Sequence, residues 1–159
     1  VEKELEPEAR RLMNLAQERN ADLPLPLDLM VAPDLRHPEQ AELRALADMS
    51  EKDAPLDVGP ESVKHYTPYL NGAATIVWNG PVGAFETPPF DQASRAIADT
   101  LAEPPPYTVV CGGDTVAAVE AFGLADRMDY LSTGGGAFLE VLEGKKLPAV
   151  AALEDRTRS

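Results

Sequence analysis

The stretch Tyr107–Val119, YTVVCGGDTVAAV, constrains the fold more than any other part of the sequence. A β-branched apolar run leads into two glycines, an Asp-Thr pair and an Ala/Val-rich segment, which predicts a strand, a tight turn and a helix start. Glycines let a backbone approach a ligand closely, and a helix N-terminus offers unpaired N–H groups and partial positive charge. This corner can therefore hold phosphate. Asp114 is placed either to hold a metal ion or, in the plainer alternative, to cap the helix.

Composition limits the partners that this chain can have. It contains 159 residues, 44% of them hydrophobic, with a formal net charge of −13. These values suit one folded domain, and the acidity argues against nucleic acid and anionic membranes as partners. No apolar run is long enough to cross a bilayer. Because Cys111 is the only cysteine, no internal disulfide can form, and we expect a cytoplasmic location.

The acidity also restricts how phosphate could be bound. Phosphate beside Asp114 would add negative charge to a negative protein. Backbone N–H groups and Mg²⁺, or basic residues from another part of the protein, must then neutralise it. A histidine-based metal site is disfavoured because the chain has only His37 and His65.

Strands and helices are predicted to alternate along the chain. The predicted strands are Leu23–Ala32, Pro55–Gly59, Ala74–Trp78, Tyr107–Val110 and Met128–Leu131. The predicted helices are Glu4–Arg19, Pro60–Tyr66, Pro89–Ala102, one from the Gly112-Gly113 turn to Gly123, and one from Gly136 to Glu143. Asp34–Lys52 is predicted to be irregular, and Leu147–Leu153 an extended tail. This alternation predicts an α/β fold with a parallel sheet and right-handed crossovers.

Ligands bind beyond the carboxyl ends of the strands in such sheets. The glycine-containing loops that follow predicted strands are Gly59-Pro60, Asn79–Gly83, Gly112–Thr115 and Thr133–Gly136. One such loop is weak evidence of a site, but several in one sheet favour a phosphate or sugar ligand. The sequence has no GxxxxGK[ST] motif and no GxGxxG motif, which excludes a P-loop and disfavours a dinucleotide fold.

Four segments at these loops form a recognisable series. LDVGP, TIVWNGPVGAFE, CGGDT and LSTGGGAFLEVLEGKKLPAVAAL occur in that order, and WNGPVGAFE and STGGGA are long and specific. With these segments the sequence resembles the C-terminal domain of phosphoglycerate kinase. The resemblance implies a doubly wound, mainly parallel sheet with helices on both faces, a Rossmann-like three-layer sandwich incomplete at its N-terminal side. Residues 1–159 would be a partial C-terminal nucleotide-binding domain, without the N-terminal phosphoglycerate-binding domain.

The same resemblance implies an activity. The family transfers a phosphoryl group reversibly between 1,3-bisphosphoglycerate and MgADP in glycolysis, giving 3-phosphoglycerate and MgATP. This portion would bind Mg²⁺ with ADP or ATP. Phosphoglycerate would bind only through the absent N-terminal domain, so we expect the chain to be inactive alone. The resemblance implies a monomeric whole protein without nucleic-acid or membrane partners. Two alternatives stay open, a non-catalytic module that binds adenine nucleotide or another phosphate ligand, and a non-functional remnant.

The site residues follow from the resemblance, motif by motif. Asp114 would hold Mg²⁺, and Gly112, Gly113 and Thr115 would line the nucleotide phosphates. Asn79 would reach the phosphate region, Glu86 would accept hydrogen bonds from ribose hydroxyls, and the adenine slot would consist of Leu56, Pro81, Val82 and Phe85. The catalytic candidates Gly134, Gly135 and Gly136 would present a helix N-terminus to the transferring phosphoryl group.

Each of these assignments has a plainer alternative. Asn79 could simply form a turn, Glu86 could be a solvated loop acid and Phe85 could belong to the core. The glycines Gly134–Gly136 could be no more than a flexible start of a helix. Some positions depart from the family pattern. Cys111 stands where a glycine usually opens the turn, and its side chain could crowd the phosphates. Ala54-Pro55 replaces a segment that usually lines the adenine pocket, and Pro88-Pro89 and Pro104–Pro106 are richer in proline than the family pattern.

Overall fold

The computed structural model describes residues 3–157, which form two three-stranded sheets with helices. The helices are α1 (Glu6–Glu18), α2 (Pro60–Gly72), α3 (Gln92–Leu101), α4 (Gly113–Ala121), α5 (Gly135–Leu142) and α6 (Pro148–Thr157). The strands are β1 (Asp28–Ala32), β2 (Glu42–Ala45), β3 (Ala54–Val58), β4 (Thr75–Asn79), β5 (Tyr107–Cys111) and β6 (Tyr130–Ser132). The predicted α/β class is confirmed.

The second sheet is parallel, in the order β4-β5-β6. Asn79 lies opposite Cys111, and Cys111 lies opposite Ser132, so the three strands end at the same edge. Burial alternates along β4, where Ile76 and Trp78 are buried in one core with residues of α3 and α4. This alternation is what a strand with one covered face requires.

The opposite face of the parallel sheet is largely open. Val77, Tyr107 and Tyr130 are 45%, 51% and 56% exposed. The three-layer sandwich is therefore incomplete among the described residues, as the resemblance implied.

The first sheet is antiparallel, in the order β2-β1-β3, whereas the alternation of strands and helices predicted that β1 and β3 would join a mainly parallel sheet. No α-helix separates these three strands along the chain, and antiparallel neighbours need no crossover helix. Strand β2 lies in the segment predicted to be irregular. Its residues are mostly exposed, so it carries no apolar alternation by which the sequence could reveal it.

Helical structure extends beyond the predicted helices at two places. Helix α2 continues through Pro68 to Gly72, and Leu70 in its last turn packs against the core of the parallel sheet. Residues 148–157 form α6 rather than an extended tail, since Pro148 fits a first helical turn and an Ala-rich segment follows.

No helix among the described residues has the length and apolar character needed to cross a membrane.

A side chain from β1 caps α2. The Asp28 carboxylate accepts hydrogen bonds from the backbone N–H groups of Glu61 (3.2 Å) and Ser62 (2.7 Å) in the first turn of α2. Gly59 precedes this turn, and a Cβ there would lie 2.2 Å from Asp28 Oδ2. Burial alone would raise the pKa of Asp28, but the hydrogen bonds from Ser62 and Glu61 outweigh it and hold the pKa below its usual range.

We expect Asp28→Ala to lower the free energy of unfolding by about 1–2 kcal/mol, because two N–H groups of α2 lose their acceptor. Urea unfolding followed by circular dichroism measures this loss. The exposed Asp22 provides the matched control, and Asp22→Ala should change the unfolding free energy by less than about 0.5 kcal/mol. Equal losses in the two variants would contradict the cap.

Candidate functional site

Three glycine-containing turns meet at the carboxyl edge of the parallel sheet. The Gly112 N–H donates to the Ser132 carbonyl at 2.8 Å, which joins the turns after β5 and β6. A Cβ on Gly135 would lie 2.8 Å from Gly112 Cα and 3.3 Å from Asn79 Oδ1. Asn79 at the end of β4 is therefore packed together with the starts of α4 and α5. The structure brings these predicted residues into one place.

The backbone at Gly112 explains why a glycine stands there. Its φ is +96°, a backbone conformation that residues with a side chain rarely adopt. A Cβ there would lie 3.1 Å from Asn79 Oδ1. Cys111, directly before it, is fully buried, so its thiol does not stand in the exposed part of the turn. Burial raises the pKa of this thiol.

The first turns of α4 and α5 are open to solvent. Gly113 and Asp114 are exposed at the start of α4, and Gly134 and Gly136 are exposed at the start of α5. The Gly134 N–H donates to Ser132 Oγ at 3.2 Å. Two neighbouring helix N-termini thus offer N–H groups and partial positive charge to one exposed region, which suits an anion.

Thr115 is placed differently from the exposed glycines. Its side chain is fully buried, and its hydroxyl oxygen accepts a hydrogen bond from the Gly80 N–H at 2.8 Å. The Gly80 carbonyl accepts a second bond, from Trp78 Nε1 at 2.8 Å. Thr115 therefore anchors the loop after β4 against α4.

A cleft of about 290 Å³ lies between β3 and the loop after β4. It is lined by Leu29, Pro55, Leu56, Asp57, Val58, Pro81, Val82, Gly83 and Ala84. Three of the four residues predicted for an adenine slot, Leu56, Pro81 and Val82, thus line one cleft, whose other lining residues are mostly apolar.

Phe85 and Glu86 lie outside the set of residues that line this cleft. The Phe85 ring packs edge-on against Phe122, with 6.4 Å between ring centroids, and the Arg95 guanidinium lies 4.4 Å from the Phe122 centroid. Glu86 is exposed. The structure therefore separates Phe85 from the other apolar candidates.

Hydrogen bonds connect the two walls of the cleft and the start of α3. Val82 N–H donates to the buried Ser94 Oγ at 3.1 Å, and Ala84 N–H donates to the Leu56 carbonyl at 2.9 Å. Asp57 Oδ2 accepts from Ala93 N–H at 3.0 Å. Asp57 and Ser94 are absent from the sequence-based site. The one available signal was an acid inside the otherwise apolar strand segment of LDVGP.

The carboxylate of Asp57 is buried, with 3% of the residue exposed. Burial raises the pKa of Asp57 to about 6, although the hydrogen bonds from Ala93 and Val58 act in the opposite direction. The negative charge of nearby Asp91 raises this pKa further. Asp57 is thus ionised at pH 7.5 and held by backbone donors.

Asp114 is the candidate metal ligand. The described residues contain no cluster of three His, Cys, Asp or Glu side chains that could hold a metal ion. Mg²⁺ in phosphate sites is commonly held by one or two carboxylates together with phosphate oxygens and water. An exposed carboxylate in the first turn of α4, beside two helix N-termini, fits a Mg²⁺ ion that is also bound by phosphates.

We expect Gly135→Ala to destabilise the protein by about 1–3 kcal/mol, because its Cβ would collide with the Gly112 backbone. Gly136 is the matched control, since a Cβ there meets no atom within 4 Å and alanine favours a helix. Gly136→Ala should therefore leave the stability unchanged or raise it. Thermal unfolding of the two variants measures the difference, and equal melting temperatures would contradict the close approach of the two turns.

The comparisons with known proteins show the family of the chain. The family model of phosphoglycerate kinase matches residues 1–145. The chain is 54% identical over 155 residues to phosphoglycerate kinase of Desulfovibrio desulfuricans, and 48% identical over 156 residues to that of Nitratidesulfovibrio vulgaris. In both cases the match covers 98% of this chain but only 40% of the relative.

Solved structures show the same similarity. Phosphoglycerate kinase from Coxiella burnetii matches with a TM-score of 0.87 and 43% identity, over 94% of this chain and 39% of that one. The enzyme from Pyrococcus horikoshii matches with a TM-score of 0.79 and 26% identity, over 96% of this chain and 37% of that one. The chain spans about 40% of the length of its curated relatives, and it belongs to the phosphoglycerate kinase family.

Proposed function

We propose that this chain supplies the Mg-nucleotide-binding part of a phosphoglycerate kinase. The whole enzyme would transfer a phosphoryl group reversibly between 1,3-bisphosphoglycerate and MgADP, yielding 3-phosphoglycerate and MgATP in the cytoplasm. The chain alone would be inactive, because the phosphoglycerate would bind to a domain outside these 159 residues. The whole protein would act as a monomer, without nucleic-acid or membrane partners.

The observation that carries the proposal is the meeting of two helix N-termini beside an apolar cleft. The starts of α4 and α5 touch through Gly112 and Gly135, and the loop after β4 runs from Asn79 at this point to the cleft at Val82. A nucleotide has the matching layout, with anionic phosphates at one end and a flat apolar base at the other.

Each residue then has a defined part. Backbone N–H groups of Gly113, Gly135 and Gly136 would bind phosphate oxygens. Gly112 and Gly134, whose N–H groups donate to Ser132, would line the same region together with Asn79. Asp114 would hold Mg²⁺, which supplies positive charge to the phosphates when it is bound. The preorganised N–H groups of α5 would stabilise charge on the transferring phosphoryl group, which is the main demand of this reaction.

The remaining candidates act on the nucleoside. Leu56, Pro81 and Val82 would pack against adenine, and Glu86 would accept hydrogen bonds from the ribose hydroxyls. Phe85 would support the loop after β4 from outside the cleft, through its contact with Phe122. Thr115 would serve the site by anchoring Gly80, in addition to the phosphate contact inferred from the resemblance.

A second candidate is a module that binds nucleotide without catalysis. The acidity of the chain favours this second candidate when the chain is alone. With a net charge of −13, the phosphates would have to be bound by backbone N–H groups and Mg²⁺. Activity in a completed enzyme separates the two candidates. A non-functional remnant would bind no nucleotide.

The test is a chimera that joins this chain to the part of the Desulfovibrio desulfuricans relative that it does not cover. We expect phosphoryl transfer to MgADP, and we expect Asp114→Ala to lower kcat/KM for MgADP by roughly 100-fold, as the loss of charge stabilisation does elsewhere. A coupled assay of ATP formation measures both rates.

The exposed Asp126, in the turn after α4, is the matched control. Asp126→Ala should leave kcat/KM within twofold of the unsubstituted chimera. A folded chimera that binds MgADP without transferring phosphate would favour the binding module. A folded chimera that binds no MgADP would contradict both candidates.

A further inference from the structure

Asp57 is a buried acid for which the family resemblance gives no role. It lies in β3, between Leu56 and Val58 in the sequence, and it lines the cleft between β3 and the loop after β4. Its charged neighbour is the Asp91 carboxylate, which lies 3.7 Å from Arg95 in an ion pair. No cation among the described residues forms an ion pair with Asp57 that would explain a buried carboxylate at this position.

The contacts of this carboxylate are all with backbone. Asp57 Oδ1 accepts from Val58 N–H at 2.9 Å, and Oδ2 accepts from Ala93 N–H at 3.0 Å. Oδ1 also lies against Gly83, where a Cβ would come within 2.2 Å of it. One side chain thus joins β3, the first turn of α3 and the loop after β4.

These contacts reach the cleft wall through one further residue. Ser94 follows Ala93 in α3, is fully buried, and accepts the Val82 N–H with its Oγ. The carboxylate therefore fixes the start of α3, and α3 in turn fixes Val82. The wall that carries Val82 is held at a set distance from the wall that carries Leu56.

We propose that Asp57 is a positioning residue that sets the width of the nucleotide-base cleft by tying β3 to the start of α3 and to Gly83. This inference rests on the proposed function, since the cleft is taken to hold the base. Both carboxylate oxygens must act as acceptors, because each of them faces a backbone N–H donor. Asparagine keeps the shape but turns one acceptor into a donor, which would face an N–H group.

The test compares MgADP binding by isothermal titration at pH 8, where Asp57 is ionised. We expect Asp57→Asn to weaken MgADP binding roughly tenfold. Magnesium pyrophosphate, measured by its competition with MgADP, should bind within twofold of its original affinity, because the helix N-termini that would hold it are untouched. A merely structural defect would weaken both ligands together.

Two further variants keep the test decisive. Ser94→Ala removes the acceptor for Val82 at nearly constant volume, and should reproduce the selective loss if Asp57→Asn folds poorly. Asp129 provides the matched control, because its carboxylate also accepts a hydrogen bond from a backbone N–H, that of Thr108 at 2.7 Å. This bond lies near the amino ends of β5 and β6, away from the proposed site. Asp129→Asn should leave MgADP affinity within twofold.

The outcomes separate the inference from the function on which it rests. Unchanged MgADP affinity in folded Asp57→Asn and Ser94→Ala, or an equal loss of MgADP and pyrophosphate, would overturn the positioning role alone. Failure of the unsubstituted, folded protein to bind MgADP would count against the proposed function, and the positioning role would fall with it.

Discussion

The parallel pairing of β4, β5 and β6 is the constraint on which the site depends. The register places Asn79, Cys111 and Ser132 side by side, so each following turn starts from the same edge. The contact between Gly112 and Gly135 is possible only because Gly135 has no Cβ, and the φ of +96° at Gly112 favours a glycine there as well. A shift in strand register would separate the two helix N-termini and remove the shared anion site.

The sheet alone does not form the cleft. One wall belongs to β3 of the antiparallel sheet and the other to the loop after β4, and Asp57 and Ser94 connect them through the start of α3. The base and phosphate ends of the proposed site therefore rely on different parts of the fold. Substitutions at one end can leave the other intact, which makes the two functions separable by experiment.

The sequence predicted the parts of this arrangement that are local. Glycine-containing turns after apolar strands are visible as patterns, and parallel strands bring their carboxyl ends together, so the grouping of Asn79, Gly112 and Gly135 was foreseeable. The antiparallel sheet was not, because β2 is an exposed edge strand without apolar alternation. The roles of Asp57 and Thr115 depend on partners about 35 residues away, which no local pattern encodes.

The most direct test of the central claim is a titration of ¹⁵N-labelled protein with MgADP, followed by amide chemical shifts. We predict saturable shifts at Gly112, Gly113 and Gly134–Gly136, where phosphate would bind, and at Val82 and Ala84, where adenine would pack. Shifts confined to the open face of the sheet around Val77 and Tyr130, or no saturable shifts in a folded protein, would contradict a nucleotide site at this edge.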